Sequence, residues 1–246
     1  MSKSAGNVVA PQDVIKQSGE EILRLWVSAQ DYRDDLRISP EILTHLVEAY
    51  RKIRNTCRFL LSNLYDFDPA TDMVPVASLE EVDRFALTRY ADAAARVQRA
   101  YAEYDFSTVA QTLSTLVTVD LSAFYVDVTK DRMYTYGATS RARRSGQTAM
   151  YLLVDGLTRL MAPVLPFTAD EMWRYLPGTR SESVHLELFP DADGYASKDI
   201  LDRWTRLLGV RDTVNAALEP QRQAKVIGNS LGAKVTLAAG GPIAAV

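Results

Sequence analysis

Apolar residues in this chain recur mostly at three- and four-residue steps, the repeat of helices that cover one another along a stripe. The longest such run starts at Ser39-Pro40, a capping residue followed by a proline suited to a first helical turn, and meets no breaker before Asp66-Phe67-Asp68-Pro69. Within it Leu43, Leu46, Val47, Tyr50, Ile53, Cys57, Leu60, Leu61 and Leu64 form one stripe. Roughly opposite stand Arg51, Asn55, Arg58 and Ser62, with Lys52 and Arg54 on the flanks and no acid from Arg51 to Arg58. One face of this helix requires other helices, and the other suits phosphate. A solvated basic surface is the plainer reading of the same pattern.

The remaining pattern predicts a bundle around that helix. Two short helices precede it, from Pro11 to Gln17 with a stop at Gly19, and from Glu20 to about Ala29 with Ile22, Leu23, Trp26 and Val27 inward. A charged connection, Asp31 to Asp35, leads to a boundary near Ile38. After an irregular link, Ser78 and Glu81 have capping-box spacing and open a helix to about Tyr104 along Val82, Phe85, Ala86, Tyr90, Ala94, Val97 and Tyr101. A further long helix spans Ser107 to Lys130 along Val109, Leu113, Leu116, Val117, Leu121, Phe124 and Val128, with Asp120 beside the stripe as a paired structural acid. Ser140 to Ala162 follows, with Met150, Leu153, Leu157, Leu160 and Met161 coreward, ended by Pro163 and Pro166. Thr168 and Glu171 repeat the capping-box spacing at the head of a short helix to Leu176, and a turn-rich connector lies over the bundle as far as Tyr195. Ser197 to about Leu218 is the last helix, and Lys234-Val235-Thr236-Leu237 alternates like a strand. The expected fold is an all-α antiparallel helix bundle with a small mixed element at the C-terminus, divided at 1–38, 39–195 and 196–246.

Composition narrows the chemistry. With 246 residues, 47% of them hydrophobic, the chain can bury a core without staples. Its one cysteine, Cys57, lies in the apolar stripe as an inert thiol, so neither a disulfide framework nor a zinc knuckle is available and no metal site is expected. A net charge of -3 excludes a general nucleic-acid coat and leaves two local basic clusters, Arg51 to Arg58 and Lys130 to Arg144. No apolar leader and no run of eighteen apolar residues is present, which reads as a cytoplasmic chain without a membrane partner. At the N-terminus, Lys3 between Ser2 and Ser4 beside Gly6 places an ammonium and two hydroxyls together, as a phosphate contact or as a loose terminus.

Taken in order, these motifs resemble the class I aminoacyl-tRNA synthetases, and within them the isoleucyl-tRNA synthetases. Met1-Ser2-Lys3-Ser4 with Gly6-Asn7-Val8 is similar to the Lys-Met-Ser-Lys-Ser signature without its first lysine. Asp13-Val14-Ile15 and Ile22-Leu23-Arg24-Leu25-Trp26 match the segment that packs under that loop, and Arg37-Ile38-Ser39-Pro40-Glu41-Ile42-Leu43 with Ala49 to Thr56 and Arg58 to Leu61 is the most diagnostic stretch. Asp120 to Tyr125, Lys130-Asp131-Arg132 and Ala162 to Thr168 with Glu171 and Trp173 extend the likeness almost to Leu237.

The resemblance implies a tRNA(Ile)-binding, anticodon-recognising portion of an enzyme that joins isoleucine to its tRNA through an adenylate. In the parent enzyme Lys3, helped by Ser2 and Ser4, would stabilise charge on the phosphates of ATP, which acts there with Mg2+. The family's His-x-Gly-His motif is not in this sequence, whose only histidines are His45 and His185, and the editing domain and zinc-binding cysteines are also missing. Met1 therefore reads as an internal residue of a longer enzyme, and the chain alone, a monomer holding no cofactor, is expected to be inactive without its catalytic and editing domains. Candidate RNA contacts are Arg51, Lys52, Arg54, Asn55 and Arg58 on the central helix and Lys130, Arg132, Tyr134, Arg141, Arg143 and Arg144 on the second basic segment. Arg54 could equally pair with a buried acid such as Asp120, and Tyr134 could be packed. Two other readings fit the pattern, a free-standing RNA-binding paralogue without ligase activity and a helical module that binds protein.

Overall fold

Start and stop signals along the chain translate into helices α1 (Pro11–Ser18), α2 (Glu20–Ala29), α3 (Pro40–Ser62), α4 (Glu81–Ala102), α5 (Phe106–Thr115), α6 (Val126–Thr135), α7 (Arg141–Met161), α8 (Pro166–Tyr175) and α9 (Lys198–Gln223). This computed structural model describes residues 9–238 and Gly240. Residues up to Ala196 form one compact unit and those from Ser197 onward a second.

In the first unit α4 packs on α5 and α7, while α3 lies against α2, α7 and α8. Leu87, Ala94 and Val97 of α4 and Leu153, Val154 and Leu157 of α7 are wholly buried, each large side chain contributing about 1.5–3 kcal/mol of transfer free energy. Cys57 and Leu60 bring α3 into the same core. Burial alone pushes the Cys57 thiol up to about 12. Ser39 caps α3 by accepting the Ile42 amide at 3.3 Å, as its sequence indicates. Gly19, at φ +89°, closes α1 and opens α2 in a conformation that side chains with a Cβ resist.

The helices that the sequence opens with capping boxes are held differently. α4 starts at Glu81 after a 3-10 turn (Val76–Ser78), and the Glu80 amide donates to the Ser145 hydroxyl of α7 at 2.8 Å. α8 starts at Pro166, two residues before Thr168, and its cap comes from α2. The buried carboxylate of Glu21 accepts the Phe167 and Thr168 amides, each at 2.9 Å, and the Thr168 hydroxyl as well. Arg24 donates to the carbonyls of Pro163 at 2.7 Å and Val164 at 3.0 Å, so α2 grips the whole α7–α8 turn. This grip rotates α2: Glu21, Ile22 and Leu25 are buried, and Val27, expected inward, is exposed.

α5, a π-helical stretch (Leu116–Tyr125) and α6 make one continuous run. Each turn of the π stretch takes an extra residue, so the buried edge shifts by one position along the chain. The stripe expected at Phe124 and Val128 is occupied instead by Tyr125 and Thr129, and Val128 faces outward. Among the described residues this run alone is long and apolar enough to cross a membrane, yet half of its most apolar window is buried inside the unit as core.

The connector 177–195 crosses α8 and α7 and ends along α4. Gln98 donates to the Pro190 carbonyl at 2.9 Å and Thr88 to that of Tyr195 at 3.0 Å.

In the second unit Ser197 caps α9 and a 3-10 turn spans Ser230–Gly232. Lys234 to Leu237 do not form the expected strand, because no strand among the described residues is there to pair with them.

Candidate nucleic-acid interface

The core stripe of α3 determines which of its polar groups face water. Lys52, Asn55 and Arg58 are exposed, and neither Lys52 nor Arg58 has an ion-pair partner among the described residues. Arg51 is exposed and pairs with Glu48 one turn earlier at 2.6 Å. Such a pair is worth little in water and can exchange Glu48 for a phosphate. Arg54 reaches across to α8 and clasps Glu171 with two bonds of 2.6 and 3.1 Å, which hold the Glu171 carboxyl below its ordinary value. Asp120, the other acid considered for Arg54, belongs to Arg89 at 3.1 Å. A groove of about 400 Å³ runs along this seam, lined by Arg54, Asn55, Arg58, Leu61, Met172 and Tyr175.

The second basic segment divides into surface and interior. Lys130 is exposed beside Asp127 at 3.1 Å, and Arg141 is exposed with one bond of 3.3 Å to the Ser78 carbonyl. Tyr134 lies one turn beyond Lys130 on the same side of α6, 67% exposed, and meets Phe59 of α3 edge to face at 6.3 Å. It is therefore open to solvent rather than packed.

Three arginines expected at the RNA surface are instead structural. Arg132 gives both terminal nitrogens to Asp83, at 2.9 and 2.5 Å, and that carboxylate is fully buried and also accepts Tyr125 at 2.7 Å and Ser145 at 2.5 Å. Arg143, with only 4% of its side chain exposed, bonds Asp66 at 2.7 and 2.9 Å and holds that carboxyl below its usual range. Arg144 bonds the Asp66 carbonyl and Gln147, each at 2.7 Å, and approaches Asp72 at 3.3 Å. The buried Asp83 requires a fixed cation, and all three guanidiniums are committed to protein partners and largely withdrawn from solvent.

Exposed aromatics that the sequence did not single out stand nearby: Tyr65 after α3, Tyr136 after α6 and Tyr175 at the end of α8. Each sits at a helix end, where periodicity gives no signal. Ser2, Lys3 and Ser4 lie outside the described residues. Among the described residues no group of three His, Cys, Asp or Glu side chains is arranged to hold a metal.

A family model described as the anticodon-binding domain of tRNA ligase matches residues 83–237. The chain belongs to that family. A second model, tRNA synthetases class I (I, L, M and V), matches residues 1–39. Among relatives of this chain, the isoleucine–tRNA ligase of Syntrophotalea carbinolica is 54% identical over 97% of the chain and that of Moorella thermoacetica 49% identical over 96%. The chain spans about a quarter, 26%, of the length of either. The Agrobacterium radiobacter K84 LeuRS, solved as a ternary LeuRS-tRNA-LeuAMS complex, aligns with a TM-score of 0.60 over 79% of this chain and 22% of its own. At 18% identity that likeness speaks to the fold alone.

Proposed function

We propose that this chain is the tRNA-binding, anticodon-recognising portion of an isoleucine–tRNA ligase, a cytoplasmic enzyme that joins isoleucine to tRNA(Ile) through an ATP-derived adenylate. The observation that carries the reading is the 54% identity to an isoleucine–tRNA ligase across nearly the whole chain. Two exposed cations of α3 without an ion-pair partner among the described residues, Arg58 in the wall of the α3–α8 groove and Lys52 on another side of the helix, support it. Single-stranded loops are held by such cations on their phosphates and by aromatic or guanidinium planes on their bases.

The contacts proposed for phosphate are Arg51, Lys52, Arg58, Lys130 and Arg141, with Asn55 able to donate to or accept from a base edge. Arg54 serves the face by fixing α8 against α3 through Glu171. In the whole enzyme Lys3, between Ser2 and Ser4, would oppose charge on the ATP phosphates. Without a His-x-Gly-His motif, this chain is expected to show no isoleucine-dependent pyrophosphate exchange.

The deciding experiment measures retention of a tRNA transcript with an isoleucine anticodon against one with an unrelated anticodon, over a salt series. Preference for the first is expected, with Arg58→Ala and Lys52→Ala each lowering the salt slope by about one. Equal affinity for both transcripts at physiological salt would reject the anticodon reading.

A further inference from the structure

We infer that Tyr65, Tyr134 and Tyr136 form a stacking site for unpaired bases of an RNA loop, an assignment that rests on the tRNA-binding reading above. The three rings are 81%, 67% and 52% exposed. Each leaves a large apolar face open to solvent.

They come from two separate segments, the ends of α3 and α6, and one buried cation ties those segments together. The Arg143 guanidinium bonds Asp66, the residue after Tyr65, and lies 5.7 Å from the centre of the Tyr65 ring. Its Nε donates to the carbonyl of Met133, the residue before Tyr134, at 3.3 Å. Its Nη1 donates to the carbonyl of Ala138, two residues after Tyr136, at 3.2 Å. The backbones that present the rings are thus tied to a single fixed group, and the rings themselves project outward. Such preorganisation lowers the ordering cost of binding.

The occupant that fits is a splayed base rather than a peptide side chain. Every base offers a π-face, so a set of tyrosines accepts successive bases whatever their edges. A cation for the intervening phosphates stands beside the rings, since Lys130 lies one turn before Tyr134 on the same side of α6. The α6–α7 region that carries two of the rings also lies within the match to the anticodon-binding family.

The test uses the full 246-residue chain and two probes: a tRNA transcript with an isoleucine anticodon, and the same RNA with abasic sites at the unpaired anticodon-loop positions. Tyr65→Leu and Tyr134→Leu, at exposed positions that preserve the fold by circular dichroism, should each weaken binding of the intact transcript by roughly 5- to 150-fold. Tyr65→Phe and Tyr134→Phe should keep wild-type affinity, and the abasic RNA should bind wild-type and leucine variants alike. Leucine variants that bind the intact transcript as tightly as wild type would overturn the stacking site while leaving the tRNA reading in place. Phenylalanine variants as weak as leucine would also overturn it, because the hydroxyl and not the ring would then carry the contact. Failure of the unsubstituted chain to retain the transcript even in low salt would overturn both.

Discussion

Replacing Arg132 separates a structural cation from an RNA contact. The Asp83 carboxylate is wholly buried and takes four hydrogen bonds, two of them from Arg132, whose own side chain is 12% exposed. In Arg132→Met the charge stays in the interior with only the Tyr125 and Ser145 hydroxyls against it. Losing one partner of a buried pair costs about 3–5 kcal/mol, far above the roughly 0–1 kcal/mol typical of an exposed arginine. For a unit of this size that is a fall in Tm of about 6–20 °C. Asp83→Asn should cost less, about 1–3 kcal/mol, because the amide still accepts some of these bonds and Arg132 sits nearer the surface. The double variant should lose less than the sum of the two, with a coupling of about 1–3 kcal/mol. Urea unfolding followed by far-ultraviolet circular dichroism gives all three values, and tRNA retention is measured on the same preparations. Arg132→Met with stability within about 0.5 kcal/mol of wild type and a clear loss of tRNA binding would refute the argument and return Arg132 to the RNA surface.

Other outcomes follow from the same packing. A methyl group at Gly156 would stand 1.7 Å from the Tyr90 hydroxyl and 2.4 Å from its ring, so Gly156→Ala should cost at least about 1–3 kcal/mol in urea unfolding, relieved in part by Tyr90→Leu. Cys57, fully buried with its thiol raised to about 12, should resist aromatic disulfide reagents at pH 8 until denaturant is added. The Asp66 carboxyl, held below 3.8 chiefly by its bonds from Arg143, contributes stability above its unfolded value and loses it as the pH falls through its lower folded one. Tm measured from pH 7 to pH 3 should therefore drop steeply below about pH 4, with Asp66→Asn less stable than wild type at pH 7 and the gap closing in acid.

Much of this fold is legible because its signals are local. Ser39-Pro40 marks the start of α3 within a residue, and the stripe through Ile53, Cys57 and Leu60 marks its buried side. What escaped the sequence depends on partners far along the chain. Asp83 lies 49 residues from Arg132 and Asp66 lies 77 from Arg143, so a count of charges in the window Lys130 to Arg144 could not tell surface cations from buried ones. The capping-box spacings at Ser78 and Thr168 misled for the same reason: Ser145 and Glu21, distant in sequence, do the work at those helix starts. On α3 the basic face was legible because a long amphipathic helix fixes its outside once its inside is known. Tyr65, Tyr136 and Tyr175 were missed because they stand where helices end.

The widened coil between Leu116 and Tyr125 ties the length of that segment to the wiring of the interior. Tightening toward a regular helix takes up a lost residue, but deleting one while the coil stays wide swings everything after it by about the 100° per residue of a regular helix. Arg132 would then point away from Asp83, Met133 would leave the core, and Tyr134 would travel to another side of the molecule. A change of length in this segment therefore leaves the interior intact only where the coil tightens or widens to absorb it.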